Sequence, residues 1–198
     1  VDLGLIALAV GMFAATNVDD IVILAMFFGQ TAGHRGGAVR VVGQYLGFAA
    51  ILVISILGAL GAGLLPATVI PYLGLLPLAL GIRSAWHAWR ERRDTADDES
   101  VAPGNGPAVL AVAAVTFANG GDNIGVYVPV FTTAGTSGLL VFAVVFLALV
   151  AVWCAAGRFF ATRPIIARAL SRWGHILLPI VLIGLGLLIL IEGNAFGV

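Results

Sequence analysis

The chain has 198 residues, 61% of them hydrophobic and only 10% charged, with a formal net charge of zero and a mean hydropathy of +1.08. A soluble domain of this size would carry about 25% charged residues, so the composition excludes one and predicts an all-α integral membrane protein in contact with a lipid bilayer. A β-barrel is excluded because its strands would be short and alternating, nucleic acid because no basic patch with interleaved aromatics is present, and an intrachain disulfide because Cys154 is the single cysteine.

A spanning helix needs about 20 mostly apolar residues. Six such segments are predicted in chain order, at 3–28, 38–62, 69–89, 108–132, 137–160 and 174–192. The breaks between them fall at GQTAGHRGG, GAGLLPAT, the 90–107 region, TTAGTSG and RPIIARALSRWG. All ten basic residues are arginine, and they occur only around spans 1–2, 3–4 and 5–6: Arg35 and Arg40; Arg83, Arg90, Arg92 and Arg93; Arg158, Arg163, Arg168 and Arg172. The positive-inside rule then puts these three connections in the cytoplasm and both termini outside. Arg83, near the end of span 3, is expected to snorkel to the cytoplasmic edge. Trp86, His87, Trp89 and Trp173 read as interface anchors.

An internal repeat divides the chain. At an offset of 103, Asp19-Asp20-Ile21 aligns with Asp122-Asn123-Ile124, and LGLLPLAL of span 3 resembles HILLPIVL of span 6. Each half has an odd number of spans, so the second copy must cross the membrane in the opposite sense. The predicted architecture is therefore six transmembrane helices in two inverted-topology three-helix repeats, residues 1–89 and 108–198, joined by a cytoplasmic linker over 90–107. Helices 1 and 4 are expected to be interrupted near midplane: helix 4 at Gly120-Gly121, helix 1 more mildly at Thr16-Asn17.

Polar residues at these interruptions need an explanation, because a charge at membrane depth costs on the order of 3 kcal/mol or more. Three carboxylates lie deep in the spans, Asp19, Asp20 and Asp122, and no basic residue is expected deep enough to pair with them. Such a cluster must be protonated, hydrated or filled by a cation. The i, i+3, i+4 spacing of Thr16, Asp19 and Asp20 predicts one helix face, and Asn119, Asp122 and Asn123 repeat it. Carboxylate, amide and hydroxyl oxygens suit a hard or intermediate divalent ion such as Mg²⁺, Ca²⁺ or Mn²⁺. The predicted ligands are Asn17, Asp19, Asp20, Asn119, Asp122 and Asn123, with Thr16, Gln44, Thr116 and Tyr127 at the periphery. Asp19 or Asp20 is a candidate proton carrier. The metal is expected as cargo, with no organic cofactor. Gly43 and Gly47 of span 2 have small-xxx-small spacing. They, or the small residues of span 5, are expected to offer a packing face, including one for a second copy in a homodimer.

ATNVDDIVILAMFF with GQYLGF in the first half, and TFANGGDNIGVYVPVF in the second, resemble the cadmium resistance transporter family of the lysine-exporter superfamily. The resemblance covers nearly the whole chain. It implies a bacterial inner-membrane exporter of divalent cations, with cadmium the named substrate and the family's polar motifs falling on Asn17, Asp19, Asp20, Asn119, Asp122 and Asn123. No nucleotide-binding motif is present, so protons or the membrane potential are the expected driving force. Two other readings are an exporter of a cationic amino acid, as in superfamily relatives, and an intramembrane aspartyl enzyme built on Asp19 and Asp122.

Overall fold

The computed structural model describes residues 3–29, 34–91 and 108–195. They form seven α-helices: α1 (Leu3–Asn17), α2 (Asp20–Gly29), α3 (His34–Ala62), α4 (Leu75–Glu91), α5 (Ala108–Asn119), α6 (Asn123–Phe160) and α7 (Pro164–Glu192). A 3₁₀ turn over Ile70–Gly74, started by Pro71, leads into α4. The expected linker lies outside the described residues from position 92 onward.

By length and composition, Gly37–Ala62 and Asn123–Phe160 can each cross a membrane, and α1 with α2 makes a third span if the bent pair is counted as one. The fold is thus all-α and multi-span, but the individual helices do not divide into six equal spans. The reason is that polar residues cut the apolar runs: α5 has only 12 residues before it stops at Asn119. The α1–α2 break bends the chain by 61°, far more than the mild interruption expected from the sequence.

Helix α6 is also not a single rod. It has 38 residues and one non-helical residue, Gly135, at φ 66° and ψ −178°. On a straight helix, Tyr127 and Phe146 would be about 28 Å apart at 1.5 Å per residue. Their ring centroids are 4.9 Å apart, and those of Phe131 and Phe142 are 5.5 Å apart. The chain therefore reverses at Gly135, and α6 is a hairpin with a first arm over 123–134 and a second over 136–160. The break expected across TTAGTSG is compressed into that one glycine. Conversely, the connection expected at 163–174 is helical: Pro164 occupies the first turn of α7, where its missing N–H costs nothing.

Lipid offers no hydrophobic drive for helix association, so close approach and dispersion must hold the bundle together. An aromatic cluster joins α1, α3 and both arms of α6: Phe13 lies 5.3 Å from Phe48 and 5.4 Å from Phe146, centroid to centroid. Glycines set the helix seams. A Cβ on Gly47 would come within 2.6 Å of the Ala113 carbonyl oxygen, and one on Gly43 within 2.6 Å of Val112 Cβ. On the other side of the bundle, a Cβ on Gly157 would lie 2.5 Å from Leu24 Cβ. The 3₁₀ turn before α4 meets α7 through a reciprocal pair, Gly74 and Gly186, where a Cβ on either would sit 2.7 Å from the other's carbonyl oxygen. Gly43 and Gly47 are therefore used inside the chain, against α5. The expectation that the span-2 glycines could receive a second copy is corrected.

Gly135 has open space around its Cβ position, so its constraint is conformational: φ 66° with an extended ψ is a region essentially restricted to glycine. Gly135→Ala is expected to destabilise the protein by about 1–3 kcal/mol through backbone strain. Gly11, also uncrowded but within regular helix, is the control. Replacing it by Ala should leave stability unchanged or slightly raised. Thermal unfolding of the two variants in detergent checks the contrast.

Candidate cation site

Each break has the same chemical layout. An asparagine closes the first helix, Asn17 on α1 and Asn119 on α5, and an aspartate opens the second, Asp20 on α2 and Asp122 as the N-cap of α6. Helix N-termini favour negative charge, so both carboxylates sit where the backbone partly offsets their cost. The turns are tight: Ile21 N–H donates to Val18 O at 3.2 Å, and Asn123 N–H to Gly120 O at 3.1 Å. Gly120 lets α3 approach, since a Cβ there would lie 2.6 Å from Ile51 Cδ1 and 3.3 Å from Asn123 Nδ2.

Side chains at the first break bond back onto the last turns of α1. Thr16 Oγ1 donates to Met12 O at 2.9 Å, and Asn17 Nδ2 to Phe13 O at 2.9 Å. Such local side-chain bonds compete with helix continuation. The carbonyl of Asn17 accepts a 2.6 Å bond from Trp153 Nε1 on the second arm of α6. This explains how a 61° bend forms with no glycine or proline at residues 17–20.

The predicted site residues gather into two hydrogen-bonded groups. In one, Asp20, only 4% exposed, accepts from Gln44 Nε2 at 3.1 Å on Oδ2 and from Asn119 Nδ2 at 2.6 Å on Oδ1. Thr116 Oγ1 donates to Gln44 Oε1 at 2.6 Å and so fixes which way the amide points. In the other, Tyr127 OH lies 2.8 Å from Thr16 Oγ1 and accepts from Asn17 Nδ2 at 2.9 Å. With the threonine proton directed at Met12 O, the tyrosine is the donor to Thr16. Asn123 Nδ2 reaches Asn17 Oδ1 at 3.4 Å. Thr16 and Asp20 thus belong to different groups. The single-face expectation assumed an unbroken helix, and the bend between them separates their partners.

Asp122 stands apart from both groups. Asp19 is half-buried, and Asp122 is exposed and lines an open cavity of about 280 Å³ with Leu80, Arg83, Ser84, Asn123, Val126, Leu178 and Leu182. Asp19 remains near enough for its charge to act on both Asp20 and Asp122. Among the described residues, no three or more His, Cys, Asp or Glu side chains are gathered tightly enough to chelate one ion. An ion here would need the amide and hydroxyl oxygens as well.

Two residues were not anticipated. Arg83 is exposed and lines the same open cavity as Asp122. Its place two helical turns inward from Arg90 was the available sequence signal. Trp153 was the other. A tryptophan deep in an apolar span, far from the usual interfacial belt, needs an acceptor for its N–H.

These features define a class: an all-helical, multi-span membrane protein with one buried carboxylate and a set of polar side chains gathered at two helix breaks. The chain belongs to the cadmium resistance transporter family, whose family model matches residues 13–198 and so takes in both motifs. No curated protein and no solved structure matches the chain.

Trp153→Phe removes the N–H donor while keeping an aromatic ring. It should destabilise the fold by about 1–3 kcal/mol, the cost of leaving the buried Asn17 carbonyl without its partner. Unfolding in detergent measures this. Stability equal to wild type would show that Trp153 contributes only packing.

Proposed function

We propose that the chain is a secondary exporter of divalent metal cations, with cadmium, named in the family's description, among its cargo. Mg²⁺, Mn²⁺ or Ca²⁺ is the physiological ion to which the oxygen and amide donors are suited. The observation that carries this reading is Asp20: a carboxylate buried within the helix bundle and oriented by neutral amide N–H groups of Gln44 and Asn119. Neutral donors orient a carboxylate without cancelling its charge. A mobile cation is the complement that makes such a site tolerable in a membrane. Asn17, Asp19, Asp20, Asn119, Asp122 and Asn123 would supply the ligands along the path, with Thr16, Gln44, Thr116 and Tyr127 positioning them. The sequence holds no nucleotide-binding motif, so protons or the membrane potential would drive export.

The architecture that fits this activity is six spans in two inverted repeats. Its supports are the paired breaks after Asn17 and Asn119, the hairpin at Gly135 and the pattern of packing: α3 on α5, α2 on α6, and α4 on α7. With α1–α2 counted as span 1, α3 as span 2 and α4 as span 3, α5 with the first arm of α6 is span 4, the second arm span 5 and α7 span 6. Span 2 then packs on span 4 as span 5 packs on span 1, while spans 3 and 6 pair with each other. The location this implies is a bacterial inner membrane, with both termini outside by the arginine distribution.

The test is ion flux in proteoliposomes with a metal-sensitive dye inside and an imposed Cd²⁺ or Mn²⁺ gradient. Wild type should carry metal. Asp20→Asn should slow the flux about a hundredfold, the loss expected from removing about 3 kcal/mol of ion stabilisation. Metal flux unaffected by Asp20→Asn would overturn this reading.

A further inference from the structure

The cavity beside the second break carries a charge that a pure cation path would not be expected to tolerate. Arg83 and Asp122 line it together, Ser84 and Asn123 add neutral polar groups, and Leu80, Val126, Leu178 and Leu182 close the rest. Arg83 sits midway along α4, two helical turns inward from Arg90. The repeat makes its position informative. At the offset of 102 that aligns Pro77 with Pro179, Arg83 corresponds to Leu185, a buried aliphatic residue. At the aligned position the second half therefore carries an aliphatic side chain where the first half carries an arginine.

We propose that Arg83 is the built-in counter-charge of the transport path: it compensates Asp122 when the path holds no metal, and an arriving divalent cation displaces it. This rests on the exporter reading above. An unpaired carboxylate in the membrane is costly, so a protein that must pass through an ion-free state needs a substitute positive charge for that interval. A guanidinium is well suited to this, since it keeps its proton, is weakly hydrated and hangs on a flexible stem that can swing along the open cavity. Arg83 competes with metal for Asp122. It weakens binding, and by returning to the carboxylate it helps the metal leave. Arg83 is thus a positioning residue that sets affinity against turnover, and it acts through Asp122.

The experiment measures Cd²⁺ and Mn²⁺ binding by calorimetry in detergent, and flux in proteoliposomes, for wild type, Arg83→Gln, Arg83→Lys, Asp122→Asn and the double variant Arg83→Gln/Asp122→Asn. Arg83→Gln should bind metal more tightly, on the order of tenfold if the compensated state predominates without metal, and should show a lower KM together with a lower maximal flux. Arg83→Lys should restore most of the wild-type affinity and flux. The tightening should vanish when Asp122 is already Asn, because the competitor then has nothing to occupy. Unchanged or weaker metal binding in a folded Arg83→Gln protein overturns the proposal, as does equal tightening in the Asp122→Asn background. Thermal melting and gel filtration check folding, and Arg83→Lys carries the comparison if the glutamine variant is unstable: loss of affinity control in a folded Lys variant also overturns it. Uptake of lysine or leucine by wild type, lost in Arg83→Gln, would overturn it in favour of a zwitterion site in which Arg83 holds the carboxylate. The exporter reading fails separately, when wild type neither binds nor carries either metal.

Discussion

The constraint on which the rest of this structure depends is a carboxylate held inside a membrane protein without a charged partner of its own. Asp20 is buried and accepts hydrogen bonds from two side-chain amides. In water such bonds exchange with solvent at little net gain. In an apolar bundle they are needed, because an unsatisfied charged group there costs several kcal/mol. Much of the surrounding architecture follows from that need. Gln44 can reach Asp20 only because α3 lies close to α5, which the absence of side chains at Gly43 and Gly47 permits. Asn119 can reach it only because α5 ends there. Thr116 keeps the Gln44 oxygen occupied, so that its N–H group, and not its carbonyl, faces the carboxylate.

Breaking a helix in lipid is costly for the same reason, since every freed backbone group must find another partner. At the first break the carbonyl of Asn17 finds one in Trp153, from the far arm of α6. The bend is therefore a tertiary feature. It exists because a tryptophan 136 residues away supplies an N–H at the right place. The second break relies instead on Gly120 and Gly121 and on the close approach of Ile51. Two breaks with matching polar residues thus use different local means, one imposed by side chains and the other permitted by glycine.

This difference decides what could be read from the sequence. The second break was legible because glycine pairs disrupt helices on their own account, and the paired motifs were legible because carboxylates are rare in apolar runs. The sharp bend of the first break was not, because its causes are distributed between Asn17 and Trp153. The reversal at Gly135 was legible, since 108–132 and 137–160 were expected as separate consecutive spans, but its compression into a single residue with positive φ was not. Eight of the ten predicted site residues join the hydrogen-bonded groups, and Asp122 lines the open cavity beside them. Helical spacing placed Asp19 and Asp20 on one face with Thr16, and spacing loses its meaning once the helix stops between them. Treating the arginines as one cytoplasmic group also overlooked that Arg83 lines the open cavity beside Asp122.

The two halves are alike in their breaks and unlike in their charges, and the unlikeness constrains how such a protein could work. Symmetric sites would favour inward- and outward-facing forms equally, whatever ion they held. A ligand shifts a conformational equilibrium only by its differential affinity for the two forms. Asp20 has neutral amide partners, whereas Asp122 shares its cavity with the Arg83 guanidinium. On the proposed counter-charge role of Arg83, occupancy by a metal would change the electrostatics of the second break more than those of the first. That asymmetry cannot set the direction of net transport, which belongs to the driving gradient. It can set which break is charged, and which is compensated, at each stage of a cycle, so the two halves would not move as equivalent partners.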